Sequence, residues 1–265
     1  MQLKDVICLG VAGNFAHHLE QAGELEDFKD VVTQTADAPK GIFPFYLPGS
    51  KSFLGLYPIG TDRLTLPTFQ ANAQVEPEIA VLFDVIYDDN YKVIDLQAKK
   101  FTTFNDCTIR KEGAKKISQK KSWGENSKGI GDRWIAIDKF EEGGVMDNYH
   151  LCSFVKRDGI IHPYGVDAPL LGYSYFYTQL KDWLIEKMNG QKDFGPLEDI
   201  AAHLKASNYP KEALVSIGAT AYAEFGEQNY LQSGDEVYVI AYDIRSEKGN
   251  FDVSEHKVIL HQKVV

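Results

Sequence analysis

Cysteine is scarce in this chain. Cys8, Cys107 and Cys152 are few, odd in number and far apart, which argues against a disulfide framework and against a thiolate-bound zinc, and makes a reducing cytoplasm the expected compartment. Long apolar runs are missing too. The longest, such as residues 78–85 and 213–218, fall far short of the roughly 20 residues a membrane helix needs, so no membrane partner is expected. The opening MQLKDVICLGVAG has neither a basic leader nor a long hydrophobic segment before a cleavage site, and reads as a first strand rather than an export signal. Basic excess is absent as well: 28 Lys and Arg face 38 Asp and Glu, a net charge of -10. That disfavours nucleic acid, whose phosphates require concentrated cations. No repeat or low-complexity stretch is visible, which excludes solenoids and disordered linkers.

What the chain does have is enough apolar material, 44% of 265 residues, to bury a sizeable core. Residues 1–35 read as a strand over 6–11, a turn at Gly13-Asn14 and a short helix carrying His17 and His18. Residues 39–67, dense in Pro, Gly and aromatics, read as a loop that packs its own rings near a pocket. From residue 75 onward, β-branched runs alternate with turns, predicting strands over 78–87, 101–108, 133–137, 151–155, 214–217 and 237–242. Helical spacing appears over 111–121 and 172–188, the second with Leu180, Trp183, Leu184 and Met188 on one stripe. The aromatic stripe from Tyr173 to Trp183 is read as core. The expected class is α+β with strands in the majority.

Four local features carry chemistry. Glu76-Pro77-Glu78 opens a strand, and because strand side chains alternate, both carboxylates point the same way. Such a pair is costly unless a cation lies between them; two surface glutamates are the plainer alternative. Pro77 donates no ladder hydrogen bond, so it marks an edge, a bulge or a first residue. Asn105-Asp106 ends another predicted strand, where the acid is either a third ligand or a turn and helix cap. His17 and His18 diverge by about 100° on a helix, so at most one faces a given site; a general base and a structural role both remain open. Lys121-Ser122-Trp123 precedes a Lys128-Gly129-Ile130-Gly131 turn, which places a lysine beside a glycine-rich loop able to bind an oxyanion. The basic run Arg110, Lys111, Lys115, Lys116, Lys120 and Lys121 is either a solvated face or an attractor for an anionic substrate.

Taken in order, these features resemble the fumarylacetoacetate hydrolase superfamily. Gly13-Asn14-Phe15-Ala16-His17-His18 is similar to the family's opening Asn and histidine, with His18 at the family histidine. Residues 39–45 resemble its Pro/Phe-rich loop, Glu76-Pro77-Glu78 its Glu-x-Glu metal motif, Asp106-Cys107-Thr108-Ile109-Arg110 its Asp-to-Arg motif, and Lys121-Ser122-Trp123 its Lys-Ser-Phe. Asp158-Gly159 resembles its Asn-Gly turn, and Ile217-Gly218-Ala219-Thr220 echoes its Thr-Gly-Thr loop. The resemblance implies a mixed β-roll over 1–265, with residues 1–65 packed on a 66–265 catalytic core. It implies Mg²⁺, or Mn²⁺ or Ca²⁺, held by Glu76, Glu78 and Asp106. His18 and Lys121 would be catalytic, and Asn14, Arg110, Ser122, Gly218 and Thr220 would bind substrate. The implied activity is hydrolysis, decarboxylation or tautomerisation of a small oxo-acid through a metal-stabilised enolate, in a homodimer. The chain departs from the family at Gln21, where the family has the acid that orients its histidine, and at Lys111, where it has another acid. A non-catalytic metal- or anion-binding protein on the same scaffold is the alternative. A partner-binding protein whose acids are only surface charge is a third.

Overall fold

The computed structural model describes residues 3–111, 113–245 and 257–265. In chain order, the first strands are β1 (Ile7–Ala12), β2 (Gly41–Tyr46), β3 (Ile59–Gly60), β4 (Arg63–Leu64), β5 (Asn72–Gln74), β6 (Pro77–Tyr87), β7 (Val93–Asn105) and β8 (Thr108–Arg110). They are followed by β9 (Lys128–Ile130), β10 (Ile135–Ala136), β11 (Tyr149–Arg157), β12 (Ile160–Pro169), β13 (Glu212–Ser216), β14 (Glu236–Asp243) and β15 (Lys257–Val264). Helices are few and mostly short: α1 (His18–Gln21), α2 (Ser118–Lys121), α3 (Tyr177–Gly190), α4 (Ile200–Ala206) and α5 (Glu224–Gln228). The larger sheet runs β2-β1-β13-β6-β7-β9-β3, with β10 also on β7; a second runs β12-β11-β14-β15-β4, and β5 pairs with β8. Both large sheets are mixed: β1 is parallel to β13 and β15 to β4, while β6 is antiparallel to β13 and β7. The strand-rich α+β expectation holds.

Period-two alternation explains where the core lies. On β6, Ile79, Val81, Phe83 and Val85 join a large cluster with Leu151, Val155, Val237 and Val239 of the second sheet, whereas Ala80 and Leu82 face a smaller cluster with Phe43, Phe45, Phe104 and Leu214. β1 divides in the same way, with Leu9 and Val11 on the first face and Cys8 and Ala12 on the second. The larger sheet is thus covered on both faces, which is why its central strands read as continuous apolar runs. Glu76 and Glu78 share the parity of Ala80 and Leu82, so they emerge on the smaller cluster's side, at the end of β6. α3 buries Leu180, Trp183, Leu184 and Met188, the predicted stripe.

Four expectations need correction. Residues 39–67 are not all loop: Gly41–Tyr46 is fully buried strand at the sheet's edge, and Pro44 is tolerated there because it sits beside a register shift against β1. The predicted helix over 111–121 is only the single turn Ser118–Lys121, residue 112 lying outside the described residues; the run's lysines are instead drawn to acids on other elements, as Lys116 is to Asp193 at 2.8 Å. The predicted 101–108 strand is two strands broken at Asp106-Cys107, because Asp106 N–H turns to the Glu76 carbonyl at 2.9 Å. His17 is not helical but caps α1 in a left-handed conformation (φ 64°). β12 and β15 escaped the sequence reading.

Candidate active site

Two chain segments deliver the acids. Pro77 pairs with Asn105 and Glu78 with Phe104 in the β6–β7 ladder, and just beyond it Asn105 Oδ1 accepts the Glu76 N–H at 3.2 Å. This double tie between neighbouring strand ends brings one carboxylate oxygen each of Glu76, Glu78 and Asp106 within 4.8 Å of one another, all three residues buried. Lys121, at the end of α2, contributes an ammonium that bonds Glu76 Oε2 and lies 2.8 Å from Asp106 Oδ2. Lys128 on β9 lies 2.7 Å from Asp106 Oδ1. Glu78 Oε2 accepts the Gly218 N–H at 2.9 Å; the φ of +116° at Gly218, and the 2.9 Å that would separate an added Cβ from Asn14 Cβ, restrict this position to glycine.

Around this centre lies a second ring. His18 Nδ1 is 3.0 Å from the Thr220 carbonyl, and its Nε2 faces Glu76 Oε2 at 3.8 Å. A carbonyl only accepts, so Nδ1 donates to it, and Nε2 is the nitrogen turned toward the carboxylate. Arg110 donates to Gln74 Oε1 (2.7 Å), Glu24 Oε1 (2.9 Å) and the Tyr222 hydroxyl (3.3 Å), and stands 3.8 Å from Glu76 Oε1. Gln21 closes a two-way bond with the Tyr222 backbone, its Oε1 accepting at 2.8 Å and its Nε2 donating at 3.2 Å.

Charge in so dry a place shifts protonation strongly. Burial alone would raise Glu76, but Lys121, His18 and Arg110 outweigh it and hold its carboxyl well below the usual range. Glu78 goes the other way: burial, then Asp106 and Glu76, push it well up, with Lys121 and the Gly218 N–H offsetting only part. For Lys121, burial works against the charge, but Asp106 and Glu76 prevail and raise it. For Lys128 burial wins and lowers it despite Asp106.

The donor set fits a hard divalent cation. It consists of three oxygen ligands on separate residues, and buried Glu76 Oε1 has no hydrogen-bond partner. Ions of the Mg²⁺, Mn²⁺ or Ca²⁺ kind match carboxylate oxygens of this hardness.

Of the residues singled out in the sequence, the fold brings Glu76, Glu78, Asp106, Lys121, Arg110, His18 and Gly218 together. Thr220 contributes its carbonyl, while its buried hydroxyl and that of Ser122 have no hydrogen-bond partner. Asn14 is committed elsewhere: its amide donates to the Tyr175 and Ile217 carbonyls and accepts the Tyr175 N–H, clamping the loop behind Gly218. Sequence reasoning missed Lys128, Gln74 and Tyr222 as parts of the site. Gln74 was findable in principle, because a buried arginine needs several acceptors; Lys128 reads in the sequence only as the start of a glycine-rich turn, which the structure shows to be strand β9.

The architecture is that of fumarylacetoacetate hydrolase-type structures. An Oleispira antarctica protein described as a fumarylacetoacetate isomerase/hydrolase superposes with a TM-score of 0.56 at 15% identity, over 98% of this chain and 93% of its own. The 5-carboxymethyl-2-hydroxymuconate delta-isomerase of Mycobacterium smegmatis gives 0.54 at 14% identity over 98% and 78%. A 2-keto-3-deoxy-D-arabinonate dehydratase complexed with magnesium and 2,5-dioxopentanoate gives 0.54 at 14% over 98% and 73%. At these identities the likeness establishes the fold. No curated protein matches the chain in sequence. The chain belongs to the family of unknown function DUF5718, whose model matches residues 24–259. Among the described residues, no helix is long and apolar enough to cross a membrane.

Proposed function

We propose that the chain is a divalent-metal-dependent enzyme acting next to the ketone of a small oxo-acid, as a decarboxylase or tautomerase rather than a hydrolase. The observation that carries this reading is the convergence of three buried carboxylates from two strand ends with an ammonium among them. Similar folds belong to an isomerase and a dehydratase, the latter with magnesium and a dioxo-acid bound, which supports the substrate class. Glu76, Glu78 and Asp106 would hold the ion, which would supply Lewis-acid stabilisation of negative charge developing on substrate oxygens. Lys121 would neutralise an oxyanion, Arg110 would face a substrate carboxylate, and His18 Nε2 would move a proton at the carbon next to the ketone.

The argument against hydrolysis concerns what stands behind His18. A water-activating histidine gains from a carboxylate on its far nitrogen. Here that nitrogen meets a neutral carbonyl, Gln21 is occupied by Tyr222, and Glu24 is occupied by Arg110. Glu20 is exposed beside His17. Proton transfer without water activation demands less of the imidazole.

The test is a melting series on metal-stripped protein with Mg²⁺ or Mn²⁺, then with oxalate added as an enolate mimic, followed by assays on oxaloacetate and an acylpyruvate. We expect stabilisation by the metal, more with oxalate, and turnover of oxaloacetate without acylpyruvate cleavage. No shift with either ligand overturns the metal-dependent reading. Binding without any turnover favours the non-catalytic alternative.

A further inference from the structure

Lys128 is a cation that the proposed site does not need. Its side chain is fully buried, and its ammonium is fixed from two directions, 2.7 Å from Asp106 Oδ1 and 2.6 Å from the Cys107 carbonyl. The strand beneath it is fixed as well. β9 pairs with β7 and β3, and Gln262 spans the junction, its Nε2 donating to the Lys128 carbonyl at 3.1 Å while its Oε1 accepts from Asn105 at 3.0 Å. Lys121 differs. It rests on a single helical turn, and its ammonium meets the Glu76 and Asp106 carboxylates, so an arriving cation can displace it toward a substrate. Lys128 is instead held to the backbone on the far side of Asp106.

Resting on the metal reading above, we infer that Lys128 is a positioning residue that weakens the site for its ion. It occupies Asp106 Oδ1, leaving to an entering ion only Oδ2, the oxygen that Lys121 faces at 2.8 Å, and sets a second ammonium beside the ligand set. A cation entering three carboxylates in a dry site is held strongly; an ammonium tethered to the third ligand by the Cys107 carbonyl lowers that attraction and makes the ion exchangeable. The consequence is that removing the lysine's charge tightens metal binding, the reverse of what deleting an ordinary site residue does.

The experiment is calorimetric titration of metal-stripped full-length protein with Mn²⁺, comparing wild type, Lys128→Met and Lys128→Gln. Met keeps the unbranched stem as far as the ε position without the ammonium, and the Gln amide retains a donor that guards against loss of folding. The inference expects both variants to bind Mn²⁺ about tenfold tighter or more, even if they melt lower without metal. Binding by a variant where wild type shows none supports the same conclusion. Wild-type binding with unchanged or weaker affinity in the variants overturns the role of Lys128 and leaves the metal reading standing. Absence of binding in all three overturns the metal reading, and this inference with it.

Discussion

Replacing Glu78 by glutamine should stabilise the metal-free protein at neutral and alkaline pH while abolishing its response to metal. The sign follows from the raised carboxyl of Glu78, whose ordinary value is 4.5. Below 4.5 both folded and unfolded chains carry the proton and the residue adds no pH dependence. Above it the unfolded chain releases the proton while the folded chain retains it, so stability falls as pH rises through the window between 4.5 and the raised folded value. The slope is about 1.4 kcal/mol per pH unit per retained proton. Between pH 6 and 8, Glu78 alone can therefore remove up to about 3 kcal/mol, a large share of a typical domain's stability. Glu76 does not obscure this, because a lowered carboxyl contributes stability that is constant above 4.5 and is lost only as pH falls. Glutamine keeps an oxygen for the Gly218 N–H that Glu78 Oε2 accepts at 2.9 Å and has no proton to lose. The assay is urea unfolding of both proteins in EDTA at pH 6, 7 and 8. Wild type should lose stability with pH more steeply than Glu78→Gln, the two curves separating upward. A divalent ion at a hundred times its Kd should then add about 2.7 kcal/mol to wild type and almost nothing to the variant. Parallel pH curves, or a variant less stable at pH 8 than at pH 6 by as much as wild type, would refute the electrostatic account of Glu78.

Two further substitutions probe the same cluster. Lys121→Met leaves the buried Glu76 and Asp106 without the ammonium they share; a loss of about 3–5 kcal/mol is expected in EDTA, much of it recovered with saturating Mn²⁺, as read by melting temperature with and without the ion. Gly218→Ala forces a side chain into a φ of +116° and to within 2.9 Å of Asn14 Cβ; it should cost about 1–3 kcal/mol in urea unfolding and weaken metal binding by displacing the N–H that holds Glu78. An alanine variant with unchanged unfolding would contradict the strain argument.

The acids were legible because their placement depends on local rules. Period-two alternation puts Glu76 and Glu78 on one side of β6, and a proline at the strand's first residue leaves the ladder intact. Asp106 was legible only as a junction; its convergence on the glutamates depends on the β6–β7 register, which no local pattern specifies. β2 was hidden because Pro44 and the surrounding glycines read as turn chemistry, whereas burial on an edge beside a register shift overrode that propensity. Lys128 was invisible for a different reason. It reads in the sequence only as the start of a glycine-rich turn, whereas Lys128–Ile130 is strand, and only the fold reveals that Asp106 and the Cys107 carbonyl partly compensate its burial.

That compensation bears on function. Five charged side chains, Glu76, Glu78, Asp106, Lys121 and Lys128, are all nearly or fully withdrawn from water in one small volume. Desolvating them costs more than their mutual attraction returns unless geometry is good and every oxygen is satisfied, and here it is not: Glu76 Oε1 has no hydrogen bond and Glu78 is driven toward its neutral form. Apolar residues of similar volume, packed against Phe43 and Phe104, would stabilise the fold better. The rest of the larger sheet buries apolar side chains and a few uncharged polar ones such as Thr102, Thr103 and Ser216, so the stability cost of this charged cluster is best explained by a ligand that completes it. Under the proposed function, a hard cation among the three carboxylates would remove both defects together.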